Sequence, residues 1–248
     1  GTRPRRAASA RSRCVIRALS FDLDDTLWPI APTILHAERR LQQWLHAQVP
    51  AIAAHWPNER LRAHRDDIAA RHPDLAHDYS AQRRRSLHEV LADQPGREQL
   101  VESAYAAFYA ARNEVTLYPD AAAALTRLSA RFRLASLSNG NADLEQIGLA
   151  AHFEQRISAR DVGVMKPDGA IFAHLCAVLD LMPTQIAHIG DDPELDVLGA
   201  KHAGLFAIWL NRDGRAWPHA LRPDLEVADL HQLCAWLDVQ QPHVSGVN

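Results

Sequence analysis

Two aspartates, Asp22 and Asp24, close an apolar run that reads Cys14-Val15-Ile16 and then Ala18-Leu19-Ser20-Phe21. In an extended strand, residues i and i+2 project to the same side. Both carboxylates therefore leave the carboxyl end of one strand together, at the edge where open α/β sheets bind ligands. Two acids so placed repel each other. A divalent cation, or a division of labour between acid and base, is the usual reason for holding them there.

The remaining sequence tells what surrounds that strand. Residues from about 30 to 113 read almost entirely as helix. Pro32 suits a first helical turn, and Leu35, Leu41, Trp44 and Leu45 follow at helical spacing, with a stop before Pro50. Asn58, after Pro57, is a candidate N-cap for a helix through Ile68. A third helix is predicted from about Asp78 to Ala92, broken by Pro95-Gly96. A fourth runs from about Arg97 to Arg112, with Leu100, Val101, Ala104, Tyr105 and Phe108 on its apolar side. Four helices with short connections suggest a small antiparallel bundle.

From about 116 to 240 the pattern changes to alternating strand and helix. Strands are predicted over Phe132 to Ser138, around Ile157, over Ile186 to Ile189 and over Leu205 to Leu210. Helices are predicted from Pro119 to Arg131, Asp143 to Leu149, Asp168 to Leu179 and Leu195 to His202. Such alternation implies a parallel sheet with crossover helices. The expected fold class is therefore α/β, with a Rossmann-like parallel sheet core built from residues 14–28 and 116–240. The expected α-helical cap, residues 29–115, is inserted directly after the first strand and so lies over the two aspartates.

Composition excludes several alternatives. A 248-residue chain with 47% hydrophobic and 23% charged residues suits a globular protein. No apolar run approaches the roughly 20 residues needed to span a bilayer, so no membrane partner is expected. A net charge of −3 gives no reason to expect nucleic acid. Cys14, Cys176 and Cys234 are odd in number, widely spaced and without a C-x-x-C pair, which points to a reducing, cytoplasmic setting. Fourteen histidines are scattered without a metal-binding spacing. The segment 1–13 carries five arginines and no acid, and is expected to be a disordered basic tail, or alternatively a targeting or anion-binding segment.

Three strand ends now converge: Asp22 and Asp24 on one, Ser138 and Asn139 on the next, Asp191 and Asp192 on a third. Lys166 precedes a helix and can reach the same crevice. Two charges about 4 Å apart interact by roughly 4 kcal/mol at an effective dielectric near 20, so an uncompensated acidic cluster would shift its own pKa values or spread apart. Oxygen donors without thiolate or imidazole favour a hard cation, with Mg²⁺ the best match. Ser138, Asn139 and Lys166 supply donors for a phosphate held against it.

These residues carry a resemblance. Asp22-Leu23-Asp24-Asp25-Thr26, Ser138 in Leu137-Ser138-Asn139-Gly140, Lys166 in Met165-Lys166-Pro167-Asp168, and Gly190-Asp191-Asp192-Pro193-Glu194-Leu195-Asp196 stand in the order of the four motifs of the haloacid dehalogenase superfamily. The chain resembles the phosphatases of that superfamily with a helical cap between motifs one and two. The resemblance implies that Asp22 attacks phosphorus to form an aspartyl-phosphate, and that Asp24 serves as acid and then base. It implies Mg²⁺ held by the Asp22 and Asp191 carboxylates and the Asp24 backbone carbonyl. Ser138 and the Asn139 amide would hold phosphate oxygens, and Lys166 would balance charge. Thr26, Asp192 and Asp196 would support these groups from behind, Asp192 either there or as an N-cap, and Asp196 through Lys166.

Asp24 also bears on the reaction, because dehalogenases of this superfamily lack an acid two residues after the nucleophile: halide leaves unprotonated. The expected partner is a small phosphorylated metabolite. The motif sequences and the cap segment around Arg83, Arg84 and Arg85 are similar to the bacterial branch acting on 5-amino-6-(5-phospho-D-ribitylamino)uracil and FMN, in riboflavin biosynthesis. At most one or two of those arginines can face inward on a helix. Trp28 would either wall the pocket or pack the cap hinge. A phosphomutase or dehalogenase on the same fold, or a non-catalytic binding module, remain alternatives.

Overall fold

The computed structural model describes residues 15–240. The expectation for the basic segment 1–13 lies outside them, as do Cys14 and the polar end after Gln240. Six strands form one sheet in the order β3-β2-β1-β4-β5-β6, every pair parallel. They are β1 (Ala18–Phe21), β2 (Arg133–Ser138), β3 (Gln155–Ser158), β4 (Ile186–Gly190), β5 (Phe206–Leu210) and β6 (Leu225–Val227). The sequence reading did not anticipate β6.

A parallel sheet is covered on both faces, so its strands read as nearly continuous apolar runs. β1 illustrates this, because all four of its residues are buried. Leu19 and Phe21 pack on one face with Ile189, Ile208 and Leu210, beneath α6 (Ala121–Ser129) and α11 (Leu230–Gln240). Ala18, Ala135, Leu137, Ile186 and Trp209 pack on the other, against Phe172 and Leu175 of α9 (Gly169–Leu179). Short helices α7 (Leu144–Ile147), α8 (Ala159–Val162) and α10 (Gly199–His202) complete the crossovers.

The helical insertion follows β1 and precedes β2, as the sequence implied. It holds five helices rather than four: α1 (Ile30–Gln48), α2 (Pro50–His55), α3 (Asn58–Arg71), α4 (Tyr79–Val90) and α5 (Arg97–Arg112). Pro50 does not simply end a helix. It occupies the first position of α2, where its missing N–H costs nothing. Asn58 is the first helical residue and not the cap, since Pro57 holds the extended N-cap backbone. Leu35 is 46% exposed, so it stands off the apolar stripe that Leu41 and Leu45 bury. That stripe meets Leu87, Val101 and Phe108 in a separate core. No helix among the described residues is long and apolar enough to cross a membrane.

Asp120 joins distant parts of the sheet layer. Its buried carboxylate accepts the Leu230 N–H at 2.7 Å and the Arg212 guanidinium at 3.1 Å. Burial alone would raise this carboxyl, but the bonds from Leu230 and Arg212 outweigh it and hold it below the ordinary aspartate value. The stability it contributes is therefore complete above the unfolded pKa of about 4 and is lost as pH falls through the lower folded value. Asp120→Ala is expected to cost about 1–3 kcal/mol in urea unfolding at neutral pH. The gap to wild type should narrow on acidification, and a gap independent of pH would contradict this account.

Candidate active site

β1 lies between β2 and β4, so the three motif-bearing strand ends are immediate neighbours. Phe21 opposes Ser136 on one side and Ile189 on the other. Asp22, Ser138 and Asp191 consequently emerge at nearly the same level of the sheet. With Asp24, Lys166 and Asp196 they line one crevice of about 210 Å³, and Tyr79 at the start of α4 reaches it from the insertion.

Lys166 is almost wholly buried, and its ammonium lies 2.6 Å from Asp22 Oδ1 and 2.5 Å from Asp196 Oδ1. Burial opposes its charge, but Asp196 and Asp22 outweigh that and raise its pKa. Asp196 is held ionised, well below the carboxylate range, because Lys166 and His188 outweigh its burial. Asp22 moves the other way. Its burial, with Asp196 and Asp24 nearby, pushes its carboxyl well up despite Lys166. Thr26 Oγ1 donates to Asp22 Oδ2 over a long 3.5 Å.

Asp24 has different surroundings. The chain loops once after it, so that Asp24 forms a parallel bridge with Trp28 and the Asp25 N–H meets the Trp28 carbonyl at 2.7 Å. Asp25 adopts φ 59°, the left-handed conformation in which Asp is tolerated better than most side chains, and its carboxylate caps the Ile30 N–H at 2.9 Å. That turn brings the Trp28 indole N–H to Asp24 Oδ1 at 2.8 Å. From the far end of the insertion, Arg112 Nη2 reaches both Asp24 oxygens at 2.8 Å. Gly140 completes the cradle, because a Cβ there would stand 2.5 Å from Asp24 Oδ2. Trp28 is fully buried, so it packs the hinge and orients Asp24.

Several predicted site residues do more specific things than expected. Asn139 uses its side chain on Lys166, accepting the Lys166 N–H at 2.7 Å and donating to the Lys166 carbonyl at 3.0 Å. Ser138 Oγ accepts the Gly140 N–H at 2.9 Å, which leaves its own hydrogen available to the crevice. The Asp192 side chain is an N-cap, taking the Glu194 and Leu195 N–H groups at 2.8 Å. The Asp192 backbone N–H also touches the cluster, at Asp196 Oδ2. Two contributors, Arg112 and His188, were not anticipated, nor was the hydrogen bond by which Trp28 serves Asp24. Arg112 is separated from Asp24 by 88 residues and no local signal marks it. His188 accompanies Asp196 at 3.1 Å and Ser20 at 3.0 Å, and burial lowers its pKa, so the ring is neutral. Trp28 lies four residues from Asp24, a spacing that brings the two together only through the loop that pairs them.

One oxygen each from Asp22, Asp191 and Asp196 lies within 4.8 Å of the others, a set that could hold a metal ion. Asp196 already serves Lys166, His188 and the Asp192 N–H, which leaves Asp22 and Asp191 as the available carboxylates. Asp191 is pushed up to about 7, first by burial and then by Asp196, Asp25 and Asp192. Asp22, Asp24, Asp191 and Asp196 face the two buried cations Lys166 and Arg112, while Arg215 reaches Asp191 only from the exposed rim at 3.7 Å. The excess negative charge and the oxygen-only donors fit a hard divalent cation.

A parallel sheet carrying an acidic, lysine-balanced crevice beneath a helical insertion defines a class of hydrolytic enzymes. Residues 16–204 match the family described as haloacid dehalogenase-like hydrolase, and the chain belongs to that family. It is 31% identical over 226 residues to the 5-amino-6-(5-phospho-D-ribitylamino)uracil phosphatase YigB of Escherichia coli (strain K12), covering 88% of this chain and 94% of that protein. It is 34% identical over 157 residues to a phosphoserine phosphatase of Thermus thermophilus, covering 61% and 63%. Among solved structures, a 2-haloacid dehalogenase from Pseudomonas syringae pv. tomato DC3000 superposes with a TM-score of 0.85 at 36% identity, over 91% of this chain and 99% of that one.

Removing the ammonium would leave Asp22 and Asp196 buried without their shared counter-charge. Lys166→Met is expected to lower unfolding free energy by about 3–5 kcal/mol at neutral pH, read by urea denaturation. A loss below about 1 kcal/mol would show that the ion pairs do not hold the crevice together.

Proposed function

We propose that this protein is a Mg²⁺-dependent hydrolase of small phosphomonoesters that works through an aspartyl-phosphate on Asp22. One observation carries the reading. Two aspartates from the same strand end have opposite surroundings: Asp22 faces Lys166 and Asp191, whereas the Asp24 carboxylate is turned to Trp28 and Arg112. Identical side chains are thereby prepared for unlike tasks.

In this mechanism Asp22 attacks phosphorus while the ester oxygen departs, and Asp24 supplies the proton that oxygen needs. Water then attacks the phosphorus of the aspartyl-phosphate, Asp24 takes its proton, and Asp22 is released with inorganic phosphate. The donors on Asp24 aim its carboxylate and suit the second step, in which it acts as the base. Splitting the displacement in two lowers each barrier. Lys166 neutralises charge as the phosphoryl group passes to Asp22, and Ser138 Oγ and the Asn139 backbone N–H hold its oxygens. Asp22, Asp191 and the Asp24 carbonyl would hold Mg²⁺, which supplies charge neutralisation at the phosphoryl oxygens. Thr26 and Asp196 position Asp22 and Lys166.

Dehalogenation is the second reading, and the Pseudomonas syringae structure favours it. Chemistry weighs against it. Halide leaves without a proton, so a dehalogenase has no use for Asp24, nor for a crevice prepared for a cation. For the substrate, the likeness to the Escherichia coli enzyme over 94% of its length supports the ribitylaminouracil phosphate as first candidate, and the motif resemblance adds FMN and a role in riboflavin biosynthesis.

Phosphate release from a generic aryl phosphate with Mg²⁺ tests the proposal. Asp22→Asn should abolish turnover, and Asp24→Asn should reduce it about 10²–10⁴-fold. Chelation should stop the reaction and added Mg²⁺ should restore it. Wild-type turnover by Asp22→Asn would remove the nucleophile assignment, and release of halide from a haloacid in place of phosphate would establish the second reading.

A further inference from the structure

Beyond the crevice, the insertion and the core enclose a second cavity of about 370 Å³ that opens onto Asp24 and Gly140. Its walls are in part apolar, from Ile30, Ile34 and Phe108, and in part cationic, from Arg65, Arg83 and Arg112. The charges are unevenly matched. Arg65 pairs with Asp66 at 2.6 Å, and Arg112 Nη2 is taken by Asp24. The nearby Glu38 carboxylate is committed to Arg62 at 2.5 Å. Arg83 is left over.

Arg83 is 5% exposed, and among the described residues it makes no hydrogen bond or ion pair. Its guanidinium lies 4.1 Å from the Phe108 ring centroid. A cation–π contact offsets part of a buried charge but leaves the five N–H donors unused. Arg112 repeats the pattern, since its Nη1 is buried without a partner while Nη2 serves Asp24. A buried, unpaired charge is costly, and proteins retain one where a ligand completes it. The lining of this cavity thus holds unused guanidinium donors beside the proposed acid/base. The neighbours Arg84 and Arg85 do not share this setting: Arg84 pairs with Glu102 at 2.9 Å, and Arg85 faces Glu89 at 3.9 Å on the surface.

We infer that this cavity takes a second anionic group of the substrate, a carboxylate or a further phosphate, with Arg83 and Arg112 Nη1 as its donors. The inference rests on the phosphomonoester reading and narrows it. Burial pulls the Arg83 pKa down to about 10, helped by Arg65 and only partly opposed by Glu38 and Asp66, so the group remains cationic at neutral pH. An anion supplies the missing charge, which the neutral ring ends of FMN and of the ribitylaminouracil phosphate do not, so a doubly anionic ester is favoured over both. Arg112 would then couple the two halves of the site, one nitrogen aiming Asp24 and the other receiving the substrate's far end.

Phosphate release should be compared across phosphomonoesters of graded length, each ending in a carboxylate or second phosphate beside its neutral amide or alcohol counterpart. Wild type should prefer an anionic ending, and the carboxylate and phosphate series decide which anion fits. Arg83→Met, which keeps the bulk over Phe108, should reduce that preference about 10- to 100-fold, mainly through KM, and Arg83→Lys should retain part of it. Equal use of neutral and anionic endings by wild type, or an undiminished preference in Arg83→Met, would overturn the inference and leave the phosphatase reading standing. Thermal-shift titration with phosphonoacetate against ethylphosphonate reads the cavity without turnover. If no ester is hydrolysed, the phosphatase reading fails, while stabilisation by phosphonoacetate that Arg83→Met abolishes would still support the anion site, and its absence would refute it.

Discussion

A single buried ammonium organises the site. Lys166 lies between Asp22 and Asp196 at hydrogen-bond distance from each, and the ammonium and the Asp196 carboxylate keep each other charged in the buried site. The supporting contacts follow from that arrangement. Asn139 grips the Lys166 backbone from both sides, and His188 takes its place against Asp196 because β1 and β4 pair Ser20 with His188. Gly190 must lack a side chain, since a Cβ would stand 2.2 Å from Asp196. Ion pairs in a low-dielectric site are maintained by such close satisfaction of every donor and acceptor, and they are not a source of stability by themselves.

The second organising contact joins insertion to core. Arg112 ends α5 and binds the Asp24 carboxylate, so the last turn of the insertion touches the group proposed to move protons. Trp28, at the other junction, binds the same carboxylate. Both hinges of the insertion therefore converge on Asp24. Any shift of the insertion relative to the sheet would change how that carboxylate is held, which gives a physical route from substrate enclosure to proton transfer.

Much of the fold could be read along the chain. β1, β2, β4 and β5 announce themselves as short apolar runs ending in polar turns, because a sheet covered on both faces needs apolar side chains at every position. β6 escaped because three residues, one of them the exposed Glu226, carry no such run. The insertion was legible as helix, but its boundaries were not. Proline marks both the end of one helix and the start of the next, and Pro50 does the latter. Leu35 fits the apolar spacing and still faces solvent, since periodicity identifies a stripe without showing how wide its contact is.

The chemistry divides along the same line. That Asp22 and Asp24, Ser138 and Asp191 meet was legible in the sequence because strand ends in a parallel sheet share one edge, and Lys166, in the loop before α9, was placed with them by motif order. Residue order could not say that Asp192 caps a helical turn, that Asn139 spends its side chain on Lys166, or that Arg112 closes over Asp24. The Asp192 and Asn139 contacts form within the folded core, whereas the Arg112 contact spans 88 residues and exists only once the helical insertion has docked on the sheet. The sequence alone thus determined which acids meet and in what order. The tertiary structure decided which of them is compensated, by which cation, and where an unpaired positive charge was left for a ligand.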